Sequence, residues 1–273
     1  MTQAAPAEQN TAGPAVLEAR EGAVLTLTMN RPVRLNALDT QLATALVQAL
    51  QRAGEDGTVR AIVLTGAGRG FCSGGDLALL RDARERNAAA ELQALLHAGA
   101  EIVLTLGQMP KPVIAAVNGP AAGAGMNLAL ACDIRIASDR ATFAQSFARV
   151  GLTPDFGGTW LLPRLVGPGR AAELFMTADT LNAEEAQRMG IVDHVVPYDS
   201  LEREVAAMAL RLAAAPPLVV RGIKQSLHGA HIEEVRRALL EEERLQEECF
   251  RSEDCAEGLR AFFEKRTPKF QGK

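Results

Sequence analysis

From Phe143 to Gly167 the chain reads FAQSFARVGLTPDFGGTWLLPRLVG, and Asp155 is the only acid in that stretch. A carboxylate in apolar surroundings is a candidate general acid or base, because desolvation lifts its pKa toward the range where it can both take and return a proton. The turn also admits a plainer role. Pro154 fixes φ, Asp155 can bond its own backbone, and Gly157 and Gly158 permit positive φ or close backbone approach, so Asp155 could instead cap a helix starting near Thr159.

Two glycine-rich loops are the other chemical features. GAGRGFCSGGDL, residues 66–77, follows an apolar run, but it has neither the GxGxxG spacing nor a Walker lysine, so a nucleotide-binding loop is disfavoured. NGPAAGAGMN, residues 118–127, follows another apolar run and opens a helix. Unpaired N–H groups at a helix start suit negative charge developing on an oxygen, although small residues there also serve close packing. Cys72, Cys132, Cys249 and Cys255 have no CxxC spacing, and Cys72 reads as small filler rather than a nucleophile. His97, His194, His228 and His231 form no zinc pattern, and no metal site is expected. The acid cluster Glu241, Glu242, Glu243, Glu247 and Glu248 reads as a solvated helix face.

These loops need strands and helices to hold them. Residues 24–29 alternate as a half-buried strand, and residues 40–53 carry an apolar helical face closed by Gly54. AIVLT, residues 61–65, reads as a strand covered on both sides and runs straight into the first glycine loop. The alternation continues with a helix at 91–106, a strand at 112–117, a buried helix at 126–132, and strands at 134–137 and 142–145. Asn182 and Glu185 form a capping-box signature, with Gly190 ending that helix. Beyond it, helices are expected at 205–214, 218–228, 232–250 and 256–265. The pattern predicts an α/β core over residues 15–200, a helical region over 201–273, and a disordered tail over 1–14. In such folds ligands bind at the loops along one sheet edge.

The bulk properties set the limits. The chain has 273 residues, 48% of them hydrophobic and 23% charged, and a net charge of −4, so it can build a large core without disulfides. With no basic run, no secretory pattern and no apolar run of about 18 residues, the sequence predicts no nucleic-acid partner, no membrane span and a cytoplasmic location with reduced thiols.

The ordered segments VLTGAGRGFCSGGDL, KPVIAAVNGPAAGAGMNLALACD, GLTPDFGGTWLLPRLVG, LNAEEAQRMGIVDHVV and EGLRAFFEKRTPKF resemble the enoyl-CoA hydratase/isomerase (crotonase) family over about residues 16–273. The resemblance implies a crotonase-like spiral core of repeated strand-strand-helix units, a helical C-terminal trimerisation region, and a homotrimer or homohexamer. It also implies an acyl-CoA thioester as substrate, with coenzyme A entering as part of that substrate and no separate cofactor. By motif position the family's two oxyanion-hole amides fall on Ser73 and Ala124, and Gly74, Gly75, Asp76 and Leu77 line the coenzyme A channel. Arg34, Lys224 and Phe263 are candidate contacts for the phosphates or adenine.

The departures from the family pattern are as informative. Hydratases of the family keep two glutamates where this chain has Asn127 and Phe147, which become substrate-lining positions. Asp155 falls where dienoyl-CoA isomerases, some ring-acting isomerases and a 4-chlorobenzoyl-CoA dehalogenase keep an aspartate. His97 lies near the dehalogenase's histidine, but the alignment puts Ala100 there. The resemblance therefore implies an isomerase with Asp155 as general acid/base, most similar to the branch acting on ring-1,2-epoxyphenylacetyl-CoA. The alternatives are a Δ3,Δ2-enoyl-CoA isomerase, a hydratase, or a non-catalytic acyl-CoA- or RNA-binding relative.

Overall fold

The computed structural model describes residues 13–273; all but the last two residues of the expected tail lie outside them. Among the described residues, nine strands form two sheets. The larger contains β1 (Val16–Glu21), β2 (Val24–Met29), β3 (Ala61–Gly66), β4 (Val113–Val117), β6 (Ile134–Ser138) and β9 (His194–Val196), in that spatial order. Within this sheet, among the described residues, only the β1–β2 pair is antiparallel; Val24 sits beside Ala61, Ile62 beside Val113, Ile114 beside Ile134 and Ile136 beside His194. The smaller sheet joins β5 (Ala121–Ala122), β7 (Thr142–Ala144) and β8 (Thr180–Asn182).

β3 and β4 are apolar on both faces because both faces are covered. On one side lie α1 (Thr40–Glu55) and α3 (Ala89–Gln108). On the other, Leu201, Val205 and Ala209 of α8 (Leu201–Ala214) pack on Val63, Ile114, Ala116 and Ile136. α3 is long and apolar enough to cross a membrane, yet its apolar face is buried in this core, with Leu92, Leu95, Ile102, Val103 and Leu106 inside. The parallel strands β2, β3 and β4 all point their carboxyl ends toward one edge, where the glycine loops emerge.

Some elements depart from the expected pattern. β1 reads VLEARE, with every residue after Val16 exposed, so it lacks the alternation of a half-buried strand and is held by its backbone ladder to β2. α2 (Leu77–Glu85) follows the first glycine loop directly and is capped by Asp76, whose carboxylate accepts from the Ala78 and Leu79 N–H groups. The capping box at α7 (Ala183–Arg188) forms as the sequence predicts, between Asn182 and Glu185.

After α9 (Pro217–Leu227), α10 (Ile232–Arg251) runs back along α3, and α11 (Glu253–Glu264) lies against the short turn at Ser146–Val150. These last two helices complete the wall of the cavity that the glycine loops open.

Candidate active site

A cavity of ≈ 370 Å³ lies at the carboxyl edge of the large sheet, and Ser73, Gly75, Ala124, Phe147 and Asp155 all border it. The two glycine loops meet there because glycines let them touch. A methyl group on Gly125 would stand 2.1 Å from the Cys72 carbonyl oxygen, and one on Gly74 would stand 3.5 Å from the Ala124 nitrogen. Cys72 is fully buried and its thiol is pushed up to about 12 by burial, which leaves it a neutral packing group.

The Ser73 amide is not a free donor, which corrects the sequence expectation. Its N–H donates to the Leu35 carbonyl at 3.0 Å, because Leu35 and Asn36 in left-handed backbone carry the 31–36 loop beneath the glycine loop. Two residues on, the Gly75 N–H has no acceptor among the described residues. Ala124 is the first residue of α4 (Ala124–Leu130), whose opening turn has N–H groups with no partner earlier in the helix.

Asp155 is 9% exposed. Its Oδ2 accepts from Gln246 Nε2 at 3.0 Å, while its Oδ1 is buried with no partner among the described residues. Burial, then the neighbouring Glu242 charge, push the carboxyl up to about 8, against the opposing Gln246 hydrogen bond. Asp155 does not cap the helix that follows. That role falls to Glu242, whose carboxylate accepts from Gly157 N (2.8 Å), Thr159 N (2.8 Å) and Thr159 Oγ1 (2.5 Å) at the start of α5 (Gly158–Val166).

The loop around Asp155 is held from several sides. Phe156 and Gly157 take consecutive left-handed conformations (φ 51° and 73°) to swing the chain into α5, an uncommon state for a phenylalanine. The Phe156 ring is seated against Gly99 of α3 so closely that a methyl there would lie 2.2 Å from Cε2. Asn127 is fully buried: its Nδ2 donates to the Asp155 carbonyl at 2.7 Å, and its Oδ1 accepts from Gln145 Nε2 at 2.7 Å. It supports the loop and does not border the cavity, contrary to its expected substrate-lining role.

Phe147, Leu77, Gly74 and Asp76 do border the cavity, with Asp76 committed to the α2 cap and to Arg31 at 3.0 Å. Arg34 and Phe263 line it as well, and Arg81 stacks over the Phe263 ring at 4.3 Å. Lys224 is elsewhere. It is 5% exposed, paired with Asp133 at 2.8 Å, and donates to the Leu106 and Lys111 carbonyls at 3.0 Å each, so it is a structural cation and not a phosphate contact.

Glu242 and Gln246 are the site residues that sequence reasoning missed. Glu242 is 3% exposed and Gln246 1%, which corrects the expectation of a solvated face for Glu242. A signal was present: Val235, Leu239, Glu242, Gln246 and Phe250 make up the buried stripe of α10, so two polar residues stand at core positions of an amphipathic helix.

Known proteins resemble this chain along nearly its whole length. Residues 19–273 match the model of the enoyl-CoA hydratase/isomerase family. The chain is 44% identical to a probable enoyl-CoA hydratase of Rhodobacter capsulatus, over 94% of this chain and 97% of that protein. It is 41% identical to the 1,2-epoxyphenylacetyl-CoA isomerase of Escherichia coli, over 94% and 98%. The crystal structure of an enoyl-CoA hydratase from Mycobacterium avium subsp. paratuberculosis superposes with a TM-score of 0.85 at 33% identity, over 94% of this chain and 98% of that one.

Proposed function

The chain belongs to the enoyl-CoA hydratase/isomerase family, whose members act on acyl-CoA, and from that premise we propose that it is an isomerase moving one proton with one carboxylate, Asp155. The observation that carries this reading is Asp155 at the wall of the cavity, with its Oδ1 buried and unpartnered among the described residues. A carboxyl desolvated to a pKa of about 8 has the basicity to take a proton beside a thioester and the acidity to return it.

In this reading the Asp155 carboxylate removes a proton from the carbon next to the thioester. The electron pair moves onto the thioester oxygen, which accepts from the Gly75 and Ala124 N–H groups; Gly75 here replaces Ser73. Each such donor is worth about 3–4 kcal/mol when the charge develops. The protonated acid then returns its proton to another carbon, so the formula of the acyl group is unchanged. For a 3-enoyl thioester the proton returns to the γ carbon and the double bond moves into conjugation. For ring-1,2-epoxyphenylacetyl-CoA, our first choice of substrate, it returns to a ring carbon while the bond shared by the two epoxide carbons opens to the seven-membered oxepin. Hydration would need a second acid to activate water. The cavity's other bordering carboxylate among the described residues, Asp76, is already engaged, and Phe147 adds an apolar wall.

Coenzyme A enters as part of the substrate, with Arg34, Phe263 and the 74–77 turn beside its path. Assembly as a trimer or hexamer belongs to the same reading and is supported by the exposed Leu218, Val219, Ile223 and Leu227 on α9; sedimentation should read three or six chains. We likewise take the protein to be cytoplasmic, which fractionation of the source cells checks.

The direct test is to assay the protein and its Asp155→Asn variant on the epoxide, 3-enoyl and 2-enoyl thioesters. The expected result is isomerisation lost in the variant with coenzyme A ester binding retained. Hydration of the 2-enoyl thioester as the main activity overturns the isomerase reading, and binding without turnover on any thioester overturns the enzymatic one.

A further inference from the structure

We propose that Gln246 is a positioning residue for the reaction: one polar face of α10 orients the Asp155 carboxyl so that its proton is carried on Oδ1, the oxygen left without a partner among the described residues. The proposal rests on the reading of Asp155 as the proton shuttle. It goes beyond that reading by naming the group that selects which carboxyl oxygen reacts.

The argument begins with the orientation of the Gln246 amide. Its Oε1 accepts from the Thr153 N–H at 3.0 Å, and its Nε2 donates to Asp155 Oδ2 at 3.0 Å. A backbone N–H can only donate, so it must face the amide oxygen, and the amide nitrogen is thereby turned toward Asp155. Flipping the amide would set donor against donor at Thr153 and acceptor against carboxylate at Asp155. The amide is therefore locked, and a donor occupies Oδ2 in both protonation states of the acid. The proton of the neutral carboxyl is left to Oδ1, the oxygen with no other partner.

One turn earlier on the same helix, Glu242 fastens the other side of the loop through the Gly157 and Thr159 amides. Residues 242 and 246 thus bracket the segment 153–159 from a single rigid element, to the geometric tolerance that proton transfer requires. The titratable group facing Asp155 is Glu242, from α10, whose own carboxyl is pushed up by burial. α4 presents the neutral Asn127, Arg149 of the 146–150 turn bonds to Ala178 and Thr180, and His97 of α3 pairs with Glu243 on the outer side of α10.

The test uses Gln246→Met, which keeps the bulk and removes both hydrogen bonds, and Gln246→Glu, which keeps the shape but offers no fixed donor. Each is measured by steady-state kinetics across pH. Each is also followed by infrared titration of the protonated carboxyl band, taken as a difference against the same protein carrying Asp155→Asn. For Gln246→Met we expect plateau kcat to fall about 10- to 100-fold with KM within about threefold. Loss of one hydrogen bond to the ionised form should raise the Asp155 titration by about one pH unit. Gln246→Glu should raise it further, because two adjacent carboxyls then share a proton. If Asp155 titrates in the wild type but neither variant moves that titration or separates kcat from KM, Gln246 is only a packing residue and the proposal fails. If the wild type minus Asp155→Asn difference contains no raised carboxyl at all, it is the underlying assignment of Asp155 that fails.

Discussion

Replacing Asp155 by Asn should make the protein more stable while disabling it, with a pH dependence that follows from where the carboxyl sits. The folded carboxyl holds its proton up to about 8, whereas in the unfolded chain an aspartate ionises near ~4. Between those two values the folded state binds the extra proton, so wild-type stability falls as pH rises through the window. Asparagine has no proton to lose and can still accept from Gln246 through its amide oxygen. The stability gap between variant and wild type should therefore widen by up to ~1.4 kcal/mol per pH unit above pH ~4 and level off above pH ~8. At pH 7 the full difference is about 4 kcal/mol, and local relaxation around a buried charge reduces it, so we expect about 2–4 kcal/mol. For a chain of this size that is a rise in Tm of roughly 4–8 °C or more. The assay is thermal unfolding of both proteins in matched buffers from pH 4.5 to 9, with turnover measured alongside. A gap that does not change with pH, or an asparagine variant that is less stable at pH 7, refutes the claim that a desolvated acid is kept there at a cost to the fold.

Two further substitutions separate the support of the site from the support of the fold. Gly99→Ala puts a methyl against the Phe156 ring and should displace the neighbouring Asp155; we expect a loss of about 1–3 kcal/mol and a kcat about 10-fold lower or more, with KM little changed, read by denaturant melts and steady-state kinetics. Lys224→Met leaves Asp133 with the Val113 N–H and His228 alone. Burial pushes Asp133 up, and the His228 hydrogen bond with the Lys224 charge and hydrogen bonds outweigh it and hold it below its ordinary value. Denaturant melts should therefore show a loss of about 3–5 kcal/mol, while KM for coenzyme A esters stays the same in the folded protein; a raised KM would restore Lys224 as a phosphate contact.

Much of the core could be read from the residues because its strands advertise themselves. AIVLT and VIAAV are apolar without alternation, which happens where helices cover both faces, and each is followed by a loop of small residues. β1 was invisible for the opposite reason: its exposed side chains carry no period, and its only claim to be a strand is the backbone ladder with β2. The choice between Ser73 and Gly75 was out of reach as well. The two amides sit two residues apart in the same loop, and the one that is free is decided by the Leu35 carbonyl, delivered by a loop with two successive left-handed residues. Lys224 shows the same limit, since an isolated lysine reads as surface charge until a half-buried Asp133, 91 positions away, is brought to it.

The strongest alternative for Asp155 was that it merely starts a helix, and the structure answers it with a second residue. An N-terminal turn must find acceptors for its amides, and here Glu242 supplies them from a helix 85 residues later. That placement has a consequence for Asp155 beyond leaving it free. A carboxyl held by three donors stays beside Asp155; burial pushes it up too, against those hydrogen bonds, and its charge is the second cause, after burial, of the raised pKa of Asp155. The same side chain thus closes off the structural role and strengthens the chemical one. It does not serve as the second acid of a water-adding pair, because its two oxygens are spent on Gly157 and Thr159 and it does not border the cavity. Two carboxyls lie close together in this fold, yet of the two only Asp155 borders the cavity, and in the proposed reading that is the arrangement proton relocation needs and water addition does not.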